Sequence, residues 1–233
     1  MIQDIEYNGL RGSILKIFAR ERPAFPAARP RREEITVPGK DGKLYVYDGG
    51  YEPTEIPVQF NYIGDELLWA ERWRMAQEWL SARNVQLRFA DDDGYFYWIS
   101  YVDLNDVERT SARIGNFEAT FITRDGLQYL DEGQWEHEPG EVQWNPYEIA
   151  HPVYKITGEG KCTLTVNGKK MTANVGQNLT IDTERMLAYR EDGTLQNTSV
   201  SGDYEELYLI KGTNSVSISS GFELSIIPNW RRL

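Results

Sequence analysis

Apolar side chains recur with two different periods along the 233-residue chain, and the switches between them mark out its elements. From Ile2 to Phe18 the apolar positions follow no clean helical spacing and Gly9 and Gly12 interrupt them, which predicts strand, turn and strand. Ile35-Thr36-Val37 and Lys43-Leu44-Tyr45-Val46-Tyr47 flank the turn residues Pro38-Gly39-Lys40-Asp41-Gly42, the pattern of a hairpin. Ile56, Val58, Phe60 and Tyr62 then alternate with polar residues in a further strand, where Pro57 suits an edge or a strand start. Between Asp65 and Arg83 the period changes. Trp69, Trp73, Ala76 and Leu80 fall at spacings of four, three and four, which predicts a helix with Asp65 as N-cap and its tryptophan stripe packed on a sheet. Period two returns in Val85–Phe89, and a turn at Asp91-Asp92-Asp93-Gly94 leads into Tyr95–Ile99. In Asn116–Phe121, Phe117, Ala119 and Phe121 share one face.

The pattern fades between Gly126 and Asn145, where Glu and Gly accumulate, and this predicts an inter-domain connection. Beyond it, short strands are expected at Val153–Ile156, Cys162–Val166, Lys170–Ala173, Asn178–Asp182, Met186–Arg190, Glu206–Ile210, Ser215–Ser219 and Glu223–Ile227. Asn167-Gly168 is the strongest local hairpin signal, because both residues tolerate the positive φ of a type I′ turn. The expectation is a mainly β chain: a β-rich domain over 1–132 with one helix at 65–83, a connection at 133–144, and a β-sandwich over 145–233.

A formal charge of −11 opposes any general grip on a phosphate backbone, so sequence-specific nucleic-acid binding is not expected. No stretch approaches the apolar length of a membrane span, and MIQDIEYNGL lacks the flank and apolar run of a signal peptide, which points to synthesis in the cytoplasm. Cys162, the single cysteine, reads as a small buried residue in the alternating run KCTLTV. The chain contains no glycine-rich phosphate loop, GxSxG elbow, HExxH or paired zinc ligands, and Asp91–Asp93 lacks the alternate ligand spacing of a calcium loop. His137 and His151 read as surface or packing residues. Neither catalytic residues nor a cofactor nor a metal site is predicted, and the chain is expected not to be an enzyme.

One segment stands apart in charge. Ala19–Glu34 carries Pro23, Pro26 and Pro30 together with Arg20, Arg22, Arg29, Arg31 and Arg32, which predicts an irregular, positively charged stretch. It reads either as a solvated loop or as an arm docking on an acidic neighbouring subunit, and the 13 Arg against 3 Lys in residues 1–132 favour the arm. For the second domain one functional reading is a carbohydrate-binding adhesion module for cell-wall glycans. Its candidate stacking residues are Tyr154, Tyr189, Tyr204 and Tyr208, while Trp135 and Trp144 fall in the expected connection.

The run ITVPGKDGKLYVYDGGYEPTEIPVQFNYIG, the helix WRMAQEWLSARNVQLRF and the strand ADDDGYFYWISYVD resemble the N-terminal domain of distal tail (Dit) proteins of siphophages that infect Gram-positive bacteria. NPYEIAHPVYKITGEGKCTLTVNGKK, LTIDTERMLAY and LYLIKGTNSVSISSGFELSIIPNWRRL resemble that family's C-terminal domain, so the resemblance spans nearly the whole chain. It implies an N-terminal domain that forms a homo-hexameric ring and a galectin-like C-terminal sandwich at the periphery. It also implies a structural hub at the virion tail tip, joining the tail-tube protein to the fibre or lysin protein and anchoring receptor-binding proteins. Galectins' own His, Asn, Arg and Trp sugar-contacting pattern is missing here.

Overall fold

The computed structural model describes residues 4–63, 69–109, 111 and 113–233. They form two compact units, one comprising the chain to Gln128 with Leu233 and the other Tyr129–Arg232. The strands of the first unit are β1 (Ile5–Tyr7), β2 (Leu10–Arg11), β3 (Ile17–Ala19), β4 (Arg29–Ile35), β5 (Leu44–Glu52), β6 (Glu55–Ile63), β7 (Val85–Phe89), β8 (Tyr95–Leu104), β9 (Glu108–Arg109) and β10 (Ile114–Thr123), with helix α1 (Trp69–Leu80) between β6 and β7. The main sheet runs β2-β1-β7-β8-β10-β6-β3, antiparallel throughout, with β9 beside β10.

Register explains the core of this unit. Phe117 faces Phe60, Ala119 faces Val58 and Phe121 faces Ile56, so the alternating sets of β10 and β6 meet on one buried face. Helix α1 covers that face. Trp73 meets Phe117 edge-on at 5.1 Å, and Trp79, which the predicted stripe omits, lies 6.1 Å from Phe60 and donates its Nε1–H to the carbonyls of Tyr7 and Leu10, both at 3.2 Å. A buried indole needs such acceptors, since its N–H would otherwise lose water without replacement. Arg72, also buried, donates from Nη1 to the Leu15 carbonyl at 2.7 Å. The expected N-cap, Asp65, lies outside the described residues, and the helix ends at Leu80 rather than at Arg83. Two tight steps follow it: Ser81 donates its N–H to the Glu78 carbonyl, and Asn84 takes a positive φ of 55° before β7.

The second unit carries β11 (Gln128–Leu130, with Gln128 in the first unit), β12 (Trp144–Asn145), β13 (Val153–Val166), β14 (Lys169–Asp182), β15 (Leu187–Tyr189), β16 (Val200–Ser201), β17 (Gly212–Thr213), β18 (Val216–Ile218), β19 (Glu223–Ile227) and β20 (Arg231–Arg232). Four expected short strands merge into the two arms of one hairpin, whose register is continuous from Val153↔Asp182 to Val166↔Lys169. Its turn has φ of 50° at Asn167 and 81° at Gly168, the type I′ pattern. Pairing changes partner along its length. One end pairs with β19 and β15, the other with β18 and β16. Gly158 and Gly160, at φ of 148° and 103°, lie between the two paired stretches, where the ladder changes partner. Tyr154, Ile156, Cys162, Leu164, Val166, Met171, Val175, Leu179 and Ile181 form the buried face, and burial pushes the Cys162 thiol pKa up.

Two expectations change here. Residues 133–144, read as a connection, are folded into the second unit: Val142 is fully buried, the Asn214 N–H donates to the Gln143 carbonyl, and His137 bridges to Ile226 through both backbone groups. Glu206–Ile210, read as a strand, opens instead as a short 3-10 turn over Glu205–Leu207, started by the Asp203 carboxylate accepting the Glu205 N–H. Leu207 and Leu209 are buried all the same, so the apolar spacing survives while the backbone differs.

Candidate assembly surface

Strands β4 and β5 form a ribbon that pairs with no other strand among the described residues. Its register shifts between Pro30 and Arg32, which leaves Asp48, Gly49 and Gly50 as a bulge opposite Arg31. The bulge is held by one carboxylate: Asp48 accepts the Gly50 N–H at 2.9 Å on Oδ1 and the Arg31 Nε–H at 2.5 Å on Oδ2. These two bonds lower the Asp48 pKa, the Gly50 contribution being the larger. Nearer the turn Lys43 pairs with Glu34, which lowers the Glu34 pKa and raises that of Lys43. The arginine-rich segment is therefore irregular only to Ala28, because Arg29–Ile35 is strand. Pro30 is tolerated there, since an edge at a register shift does not require its missing N–H.

Each face of the ribbon is exposed and carries apolar or aromatic side chains beside charged ones. Glu33 opposes Val46 and Ile35 opposes Leu44, so Ile35, Leu44 and Val46 share one face. Arg32 opposes Tyr47 and Glu34 opposes Tyr45, so the other face carries the two tyrosines, with the Arg32 guanidinium 4.9 Å from the Tyr45 ring centroid. All of these residues are exposed, Tyr47 to 59%. The five candidate arginines thus divide. Arg22 pairs with Asp91 at 3.0 Å, Arg31 and Arg32 are engaged within the ribbon, Arg29 stands opposite Glu52, and Arg20 lines an open groove with Asp106, Glu108 and Glu118. Phe25 anchors the segment between them, meeting Phe89 at 5.0 Å and Tyr97 at 6.2 Å.

No protein-family model and no curated protein sequence matches the chain. Among solved structures it is similar to SPP1 Dit (gp 19.1), described as a paradigm of the hub adsorption apparatus in Gram-positive-infecting phages. The TM-score is 0.69 at 12% identity, over 100% of this chain and 99% of that one. The chain has the Dit fold.

Within this Dit fold the four tyrosines expected to stack on sugar are not gathered on an open face. Tyr154 is fully buried and donates its hydroxyl to the Leu207 carbonyl at 2.7 Å, with its pKa driven up by burial. Tyr208 is already stacked, on His151 at 4.0 Å, and both Tyr189 and Tyr204 are half-buried with pKa values raised by desolvation. His151 sits in a polar cluster, its Nε2 lying 2.9 Å from the Arg231 Nη2 and its Nδ1 hydrogen-bonded with Glu184. Of the aspartate run, Asp91 pairs with Arg22 and Asp92 accepts the Gln128 amide at 2.7 Å. Among the described residues no group of three or more His, Cys, Asp or Glu is placed to hold a metal ion, and no helix is long and apolar enough to cross a membrane. The sequence drew attention to the arginines of this segment and not to the exposed apolar alternation of Ile35, Leu44 and Val46 beside Tyr45 and Tyr47, which is legible in the same residues.

Proposed function

We propose that this chain is a structural component of a phage tail tip, a Dit-type hub of the virion. The observation that carries the reading is the correspondence with SPP1 Dit over 100% of this chain and 99% of that one. In this reading the first unit closes into a homo-hexameric ring and the second is a galectin-like unit. The ring joins the tail tube to the fibre or lysin protein and offers a seat for receptor-binding proteins. The ribbon β4–β5 is the inter-subunit arm. Its exposed aliphatic and tyrosine faces support that role, because apolar area left in water is stabilised by about 25 cal/mol per Å² when a neighbour covers it. The grip is accordingly apolar, with Arg29, Arg31 and Arg32 at its margin.

Light scattering on the purified chain across a concentration series, followed by negative-stain imaging, tests the reading. A closed six-membered ring is expected, alone or with a tail-tube protein as template. A chain that stays monomeric under both conditions overturns it.

A further inference from the structure

Trp135 and Trp144 are surface residues of the second unit, 64% and 62% exposed. Only Trp144 is mounted on a frame of paired strands. It lies on β12 opposite Thr213 of β17, and its ring comes within 4.0 Å of where a side chain would begin at Gly212. Two buried amides hold these strands. Asn145 donates to the carbonyls of Glu148 at 2.9 Å and Leu209 at 3.4 Å and accepts the Tyr147 N–H at 3.0 Å. Asn214 donates to the carbonyls of Ile210 at 2.8 Å and Gly212 at 3.1 Å, and accepts from the Ile210 N–H and the Asn167 amide, both at 2.9 Å. At the same edge the Lys211 ammonium pairs with the Glu148 carboxylate at 3.2 Å.

A flat, exposed apolar ring therefore stands on a strand pair whose backbone is pinned by two buried amides, beside a residue with no side chain, with Thr213 opposite it and the polar Lys211 and Glu148 close along the same two segments of chain. Ile210, also exposed, adds apolar area only at the margin. A partner protein's apolar core would call for a wider apolar patch than one indole. A pyranose fits better, since one face of its ring is C–H and its rim is hydroxyl. We propose that Trp144, Gly212, Lys211 and Glu148 form a carbohydrate-stacking platform, the indole lying against the C–H face of one sugar while Lys211 and Glu148 hydrogen-bond its hydroxyls. Preorganisation by Asn145 and Asn214 lowers the ordering cost of binding. This proposal is independent of the hub reading, since a platform on the second unit is open to test in monomer or ring.

Saturation-transfer NMR on the full chain with the methyl β-glycosides of glucose, galactose and N-acetylglucosamine tests it. Transfer to the ring C–H protons of at least one glycoside is expected. It should disappear in Trp144→Ala, weaken in Lys211→Ala and persist in Trp135→Ala. Absence of transfer from the unaltered chain to all three sugars overturns the proposal, as does transfer that survives Trp144→Ala. Should Trp144→Ala lose its near-ultraviolet circular dichroism, Glu148→Gln and Lys211→Ala decide the matter: transfer weakened in both upholds the platform, and transfer unchanged in both overturns it.

Discussion

The ribbon Arg29–Glu52 and the hairpin Val153–Asp182 are both antiparallel pairs rich in β-branched and aromatic residues, but their surroundings differ entirely. The hairpin is flanked by β15, β16, β18 and β19, and one set of its alternating side chains is buried. Among the described residues the ribbon has no flanking strand, and its apolar side chains are exposed on both faces. Strand propensity alone does not separate them, because it measures fitness for a pleated, half-buried surface rather than the presence of one. An isolated two-stranded ribbon is marginal in water. In this one the ladder between the strands is supplemented by the Asp48 bulge and the Lys43–Glu34 pair, both exposed and both local in the fold.

The contrast is sharpest in truncation of apolar side chains. Ile156→Ala or Leu164→Ala should destabilise the chain by about 2–5 kcal/mol, because both side chains are fully buried. Val46→Ala should change it by less than about 0.5 kcal/mol. Chemical denaturation of the three variants compares them directly, and equal shifts would mean that the ribbon is packed in the free chain. The turn gives the next effect: Gly168→Val forces a β-branched residue to φ near 81° and should cost about 1–2 kcal/mol in the same assay.

A smaller change in stability, with a larger one in assembly, is expected when the ribbon's outer residues become polar. Tyr45→Ser with Val46→Ser and Tyr47→Ser should leave the unfolding midpoint in place and abolish self-association by light scattering. Persistence of the ring in this variant would remove the ribbon from the interface. Reversing Arg29, Arg31 and Arg32 to Glu should weaken assembly less.

The smallest effect is in pH. Glu34 and Asp48 have pKa values below their ordinary 4.5 and 3.8, so the stability they supply is fully present above those values and is lost as pH falls through the lowered ones. Amide exchange in β4 and β5 should therefore accelerate below about pH 4 relative to that in β13 and β14, beyond the change in intrinsic rate. Uniform behaviour of the two pairs would show that the carboxylates do not hold the ribbon.

Much of this architecture was legible in local pattern. Ile56, Val58, Phe60 and Tyr62 all turn inward on β6, and Asn167-Gly168 makes the expected turn, because side-chain period and backbone chirality act within a few residues. The division of labour among the candidate residues was not legible. Whether Arg31 reaches a neighbour or Asp48 depends on a register shift, and whether Tyr154 faces solvent or core depends on which strands flank β13. Trp144 belongs to the same class. It stood in a stretch without strand periodicity, and its role as a surface strand residue comes from pairing with Thr213, about 70 residues away along the chain.

By itself the sequence determined the mainly β character, the single helix, the tight turns and the alternating core faces, since each follows from interactions between near neighbours. Only the tertiary structure decided that residues 133–144 are part of the second unit, that four short strands join into one long hairpin, and that β4–β5 stands without a flanking strand among the described residues. Those outcomes depend on which distant segments meet, and hydrogen-bond pairing between strands is indifferent to side-chain identity until packing selects among the registers.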